Sequence, residues 1–163
     1  MGKAVKAETT RFTAVIADDH EIVRAGLRAA LETPGIVDDP PIKVVAEAAD
    51  GFETLAATKQ PRPDLLLLDL TMPLSGGAEI FNEIRRWSPA TKIVVFSSVT
   101  AGGVLAQLIE AGVDGMFAKG GSNALLYEKL PLILRGGKFI APDCLALIED
   151  APPATVLLEE SGP

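Results

Sequence analysis

The sequence predicts an α/β fold: a doubly wound, five-stranded parallel sheet of order 2-1-3-4-5. Three observations carry that expectation. Short apolar runs alternate with helix-length segments five times between residues 12 and 136. Three of those runs, FTAVIADD (12–19), DLLLLD (64–69) and KIVVFSS (92–98), are continuous rather than alternating, as strands covered on both faces are. Every strand is followed by a crossover long enough for a helix, so right-handed βαβ units in one open sheet close the structure with fewest assumptions.

Each element has its own justification. After the first strand, EIVRAGLRAALE (21–32) spaces its apolar residues on a broad helical stripe. TPGIVDDPP (33–41) is a breaker-rich loop before the second strand, IKVVAEAA (42–49). GFETLAATKQ (51–60) is helical in period, and the following PRP stops it. The third strand gives way to the loop TMPLSGG, then AEIFNEIRRWS (78–88) puts Ile80, Phe81, Ile84 and Trp87 at helical spacing. After the fourth strand, VLAQLIEAG (104–112) is a helix with Gly112 at its C-terminal end. DGMFAK (114–119) is a brief fifth strand. SNALLYEKLPLILRG (122–136) is the last helix, with Ser122 as N-cap and Pro131 expected to bend or split it. Beyond Gly137 the pattern weakens to one possible short helix, DCLALIED (143–150), and an acidic, proline-containing end. The expected organisation is an N-terminal extension (1–11), one domain (12–140) and a linker or tail (141–163).

Composition excludes several classes. With 48 % apolar residues in 163, a core forms without covalent staples. Cys144 is the single cysteine, so no internal disulfide exists, and a small buried residue in a reducing, cytoplasmic setting is the expectation. No apolar run approaches roughly 18 residues, so no membrane span is expected, and MGKAVKAETTRFT lacks the apolar segment of a signal peptide. The net charge of −7 argues against direct nucleic-acid binding by this segment, which would need clustered Lys and Arg.

In an open parallel sheet, ligands bind beyond the C-terminal strand ends. Those ends carry Asp18 and Asp19, Asp69, Ser97 and Ser98, and Lys119. With strands 1 and 3 adjacent, three carboxylates converge, with a hydroxyl and an ammonium to one side. Adjacent carboxylates raise one another's proton affinity unless a cation sits among them. A hard divalent ion with oxygen ligands answers this, and Mg²⁺ fits because it works with few carboxylates and keeps room for a phosphoryl oxygen. Asp69, alone after its strand, suits a nucleophile that accepts a phosphoryl group as an acyl phosphate. Lys119 and Ser97 can hold phosphoryl oxygens. His20, Trp87 and Tyr127 are read as capping, packing or surface residues.

ADDHEIVRAGLRAAL, PDLLLLDLTMPLSGG, KIVVFSS and AGVDGMFAK together resemble the receiver domain of two-component response regulators, LuxR/NarL-type, over residues 12–136. The resemblance implies a flavodoxin-like (CheY-like) fold and a sensor histidine kinase or phosphotransfer protein as phosphodonor. It makes Asp69 the phosphoacceptor and Asp19 the direct Mg²⁺ ligand, with Asp18 acting through water. The backbone carbonyl of Thr71 becomes a further ligand, Ser97 the switch hydroxyl and Lys119 the partner of the phosphoryl group. Pro73 and Gly76 or Gly77 shape the loop after the acceptor. Two positions depart from the pattern: Met116 stands where an aromatic switch residue is usual, and Gly120 follows the lysine where many receivers have proline. Phosphorylation is then expected to draw Ser97 toward Asp69 and pull the 97–103 segment with it. The surface of the last two helices and the fifth strand would change its binding preference.

The output expected from the resemblance is a homodimerising transcription regulator whose DNA contacts come from a C-terminal domain absent from this chain. A helix-turn-helix would need roughly 50–60 further residues. The alternative is a single-domain receiver working in a phosphorelay or by protein docking. A phosphohydrolase is disfavoured, because threonine stands at position 71 where such enzymes commonly carry a second carboxylate.

Overall fold

The computed structural model describes residues 12–37, 42–60, 62–73, 78–98, 102–120 and 122–149. Helices and strands alternate in the expected order: β1 (Phe12–Ala17), α1 (Glu21–Glu32), β2 (Ile42–Ala48), α2 (Gly51–Lys59), β3 (Leu65–Leu68), α3 (Ala78–Trp87), β4 (Lys92–Ser97), α4 (Gly102–Glu110), β5 (Gly115–Ala118), α5 (Ala124–Leu134), β6 (Phe139–Ile140) and α6 (Pro142–Glu149). The sheet is parallel throughout, in the order β2-β1-β3-β4-β5-β6. The predicted 2-1-3-4-5 order therefore stands, with one strand added at the β5 edge.

The continuous apolar runs occupy the positions that their patterning demanded. Leu65 to Leu68 are all buried, as are Ile93 to Phe96 and Ala14 to Ala17. Helices cover both faces of these central strands, so neither side can be polar. Phe81 and Ile84 of α3 and Leu105 and Leu108 of α4 complete the core. At roughly 25 cal/mol per Å² of apolar surface removed from water, this is the dominant favourable contribution to folding.

α4 ends in a Schellman motif, the Gly112 amide donating to Ile109 O (3.0 Å) and the Val113 amide to Leu108 O (3.0 Å). Gly112 has φ +93°, which a Cβ would oppose. At its other end α4 begins at Gly102, two residues earlier than expected. Gly102 and Gly103 thus open a helix rather than belonging to the loop that follows β4.

Three further differences from the sequence reading have physical reasons. α5 runs unbroken through Pro131. The proline costs one backbone donor, but Leu126, Leu130, Ile133 and Leu134 bury the helix against the sheet and hold it together. Its N-cap is Asn123, and the Ser122 hydroxyl accepts from the Ala124 amide at 3.1 Å, one position early. The third concerns β6, which is too short to be seen in a pattern. It exists because the Phe139 amide donates to Asp114 O (3.1 Å) and the Ala141 amide to Met116 O (2.9 Å).

α6 then packs on α4 and β5. Cys144 sits in that contact, 2 % exposed, and burial with Asp143 beside it pushes the thiol up to about 11. It is a packing residue, as expected. Residues 1–11, 38–41, 61, 74–77, 99–101, 121 and 150–163 lie outside the described residues, and with them Gly76, Gly77, the N-terminal extension and the last part of the expected tail, whose residues 141–149 are described.

Candidate functional site

Register sets the site. Ala17 pairs with Leu68 and Ser97 with Ala118, so β1 and β3 end level, as do β4 and β5. The next residue in each strand therefore emerges at one edge: Asp18 after β1, Asp69 after β3 and Lys119 after β5. The Asp69 amide donates to Ala17 O (2.9 Å) and the Lys119 amide to Ser97 O (3.0 Å), so backbone ladders hold these residues at the rim.

Asp69 is 1 % exposed. Its Oδ1 accepts from the Thr71 amide (3.0 Å), the Thr71 hydroxyl (2.8 Å) and the Ser97 hydroxyl (2.8 Å). Its Oδ2 lies 3.2 Å from Lys119 Nζ and 3.0 Å from the Thr71 hydroxyl. Burial pushes the proton affinity of this carboxyl up. The Thr71 amide, the Ser97 and Thr71 hydroxyls and the Lys119 ammonium outweigh that, and the group titrates below its ordinary range. Asp69 is thus a buried anion kept ionised by its hydrogen bonds.

Lys119 also pairs with Asp18 Oδ2. Burial lowers the proton affinity of its amine, but hydrogen bonding to Asp18 and the charges of Asp69 and Asp18 raise it further, so the ammonium persists. Asp18 is itself buried; its Oδ1 accepts from the His20 amide at 2.8 Å. Asp19 is more open and stands beside His20 Nδ1 at 3.1 Å. Donor atoms of Asp18, Asp19, His20 and Asp69 all lie within 4.8 Å of one another. This is an acidic cluster typical of a divalent-cation site in receiver domains, and its carboxylate oxygens suit a hard ion.

The structure therefore brings together Asp18, Asp19, Asp69, Thr71, Ser97 and Lys119. Ser97 already sits at hydrogen-bond distance from Asp69, so a long approach by that hydroxyl is unnecessary. Its Oγ also accepts from the Leu70 amide at 3.3 Å. Thr71, expected to offer its backbone carbonyl, binds Asp69 here through its amide and its hydroxyl. Met116, at the departing position, is wholly buried in β5 between Val95 of β4 and Ile140 of β6. Pro73 ties the loop after the acceptor to α2, its carbonyl accepting from the Gly51 amide at 3.0 Å.

Arg24 was not singled out from the sequence. Its Nη1 donates to the Asp18 carbonyl at 2.6 Å, and its Nε donates to Glu47 Oε1 at 2.8 Å. It fixes the backbone of the acidic pair from α1, with β2 as anchor. The available signal was its spacing: an arginine one turn into the helix that follows DD faces back toward the strand end.

Comparison with known proteins agrees with this geometry. Residues 14–131 match the response regulator receiver domain family. The chain belongs to that family. NarP, the nitrate/nitrite response regulator protein of Escherichia coli (strain K12), is 34 % identical over 131 residues, covering 80 % of this chain and 59 % of NarP. UvrY, a response regulator of the same strain, is 33 % identical over 129 residues, covering 79 % and 57 %. The receiver domain described here thus spans about three-fifths of the length of the curated relatives it matches. Among solved structures, a LuxR-family two-component response regulator from Aurantimonas sp. SI85-9A1 superposes with a TM-score of 0.74 at 33 % identity, over 86 % of this chain and 97 % of that one. The isolated receiver domain of RcsB from Salmonella enterica serovar Typhimurium, with the phosphomimetic BeF3⁻, superposes with a TM-score of 0.74 at 25 % identity, over 85 % and 99 %. Among the described residues no helix is long and apolar enough to cross a membrane.

Proposed function

We propose that this receiver domain accepts a phosphoryl group on Asp69 from a phosphohistidine of a sensor histidine kinase or phosphotransfer protein. The observation that carries this reading is the Asp69 carboxylate itself. It is buried, ionised and fixed on both oxygens, with Lys119 and Ser97 beside it and the acidic pair next door. An Asp69 oxygen attacks phosphorus, the P–N bond to the donor imidazole breaks, and the new P–O bond makes an acyl phosphate. Lys119 and the Ser97 and Thr71 hydroxyls, which now satisfy the carboxylate, turn to the phosphoryl oxygens as charge accumulates there. Asp18, Asp19 and Asp69, with the carbonyl of Thr71, would hold Mg²⁺. When bound, that ion offsets the negative charge that phosphorus must approach. Thr71 leaves no carboxylate to activate water at that position, which favours a stored signal over turnover.

The signal leaves the site along the rim. Ser97 ends β4, its carbonyl holds the Lys119 amide, and β5 passes the register on to Met116 and β6. An output of DNA binding by a further domain, with dimerisation, is supported by relatives such as RcsB, whose structures include complexes with DNA. A cytoplasmic location accords with a donor kinase and a single reduced cysteine. Beside Lys119 a cleft of about 330 Å³ opens between α1 and α5. Ile22 on its lip is 86 % exposed.

Incubation with a small acyl phosphate or phosphoramidate donor tests the reading by intact mass. The wild-type chain should gain one phosphate with Mg²⁺ and none with a chelator, and Asp69→Asn should gain none. Stoichiometric phosphate on Asp69→Asn would overturn it.

A further inference from the structure

We propose that Arg24 is a positioning residue for the acidic pair, with Glu47 as its charged anchor, and that it sets the affinity of the site for a divalent cation. This rests on the phosphoacceptor reading above, in which Asp18 and Asp19 hold the ion. Both acids lie just past β1, which ends at Ala17. The backbone there is held twice from β2. The Asp18 amide donates to Ala48 O (2.9 Å), and the Asp18 carbonyl accepts from Arg24 Nη1 (2.6 Å). That carbonyl belongs to the rigid peptide plane joining Asp18 to Asp19, so one guanidinium fixes the direction in which the chain carries Asp19.

The Arg24 fork is itself fixed at two points. Nε donates to Glu47 Oε1 at 2.8 Å while Nη1 holds the carbonyl, and the side chain is only 16 % exposed. Glu47 also answers the charge. An unbalanced guanidinium beside the acidic pair would repel an incoming cation, and the Glu47 carboxylate offsets it. Arg28, one turn further along α1, binds the other oxygen of Glu47 (2.6 Å) and the Val44 carbonyl (3.1 Å). Arg28 therefore shares the anchor without sharing the Asp18 carbonyl. The two arginines separate positioning of the acids from simple fastening of α1 to β2.

Calorimetric titration of wild type, Arg24→Met and Arg28→Met with MgCl2 is the test. Urea melts of the metal-free chains and the rate of Asp69 phosphorylation by a small acyl phosphate at saturating Mg²⁺ accompany it. Both variants should lose stability to a similar degree, since each breaks a pair with Glu47. Mg²⁺ affinity should fall about tenfold or more in Arg24→Met and stay within about twofold of wild type in Arg28→Met, because losing a group that orients a metal ligand costs roughly 10–100-fold. At saturating Mg²⁺ the phosphorylation rate of Arg24→Met should recover to within about threefold of wild type, as expected when binding and not the chemical step is impaired. If Arg24→Met does not fold, the nearly isosteric Glu47→Gln carries the test and should weaken Mg²⁺ binding by about threefold or more. Unchanged Mg²⁺ affinity in the Arg24 or Glu47 variant, or an equal fall in the Arg24 and Arg28 variants, would reduce Arg24 to a structural fastening. Wild type that binds no Mg²⁺ or takes no phosphate on Asp69 would instead overturn the phosphoacceptor reading.

Discussion

At the level of single residues, Lys119 decides the charge state of the rim. Its ammonium contacts both Asp18 and Asp69 while largely buried, and those carboxylates are otherwise close neighbours. Replacing it by methionine keeps the stem's volume and removes the charge. Buried pairs that lose one partner cost about 3–5 kcal/mol, less where water reaches the site, so Lys119→Met should destabilise the metal-free chain by about 1–3 kcal/mol at neutral pH. Adding Mg²⁺ should then stabilise Lys119→Met more than wild type, since the ion meets the unbalanced carboxylates without a competing ammonium. Thermal unfolding with and without MgCl2 measures both effects; equal Mg²⁺ stabilisation of the two chains would show that Lys119 and the ion do not share the carboxylates.

At the level of elements, the end of the sheet away from the site is clamped by Asp114, which precedes β5. Its carboxylate accepts from the Ile93 amide (2.9 Å), Arg85 of α3 (3.0 Å) and Lys138 (3.3 Å). Burial pushes this carboxyl up, but those three donors win and hold it below its ordinary range. A carboxyl depressed on folding stabilises the native state fully above its unfolded value, near 4, and loses that contribution as pH falls through its lower native value. Asp114→Asn should therefore cost about 1–3 kcal/mol near neutrality, and its deficit against wild type should shrink below about pH 4. Urea melts across that range provide the check, and a deficit independent of pH would mean that charge is not what matters there. In β5 itself, Gly115 leaves no room for a side chain: an added Cβ would lie 2.8 Å from Ile133 Cδ1 of α5 and 3.2 Å from Val94 Cγ2. Gly115→Ala should lower stability by about 1–3 kcal/mol, because both neighbours are buried core residues with little freedom to move. Unchanged thermal unfolding would indicate that Ile133 repacks freely.

At the level of the whole molecule, strand order turns separate sequence positions into one site. Most of that was legible. Uninterrupted leucines mark a strand buried on both faces, and in a parallel sheet the first polar residue after each such strand falls on one rim. Asp18, Asp69 and Lys119 followed from this without any side-chain detail. What was hidden depends on contacts without a local pattern. β6 is two residues whose strand character comes wholly from pairing with β5. Pro131 reads as a helix breaker, yet tertiary burial of α5 outweighs the donor it removes. The Thr71 hydroxyl, the Arg24 brace and the position of the His20 ring depend on rotamers that no periodicity encodes.

The central claim, that the rim works as a phosphoacceptor centred on Asp69, makes one chemical demand: the phosphoryl group must be an acyl phosphate. After phosphorylation with Mg²⁺ and a small donor, the chain should be treated with hydroxylamine and digested. An acyl phosphate is cleaved to a hydroxamate, and peptide mass mapping should find that hydroxamate on Asp69 alone. A hydroxylamine-resistant phosphate on Ser97, Thr71 or any other hydroxyl, with Asp69 unmodified, would contradict the account.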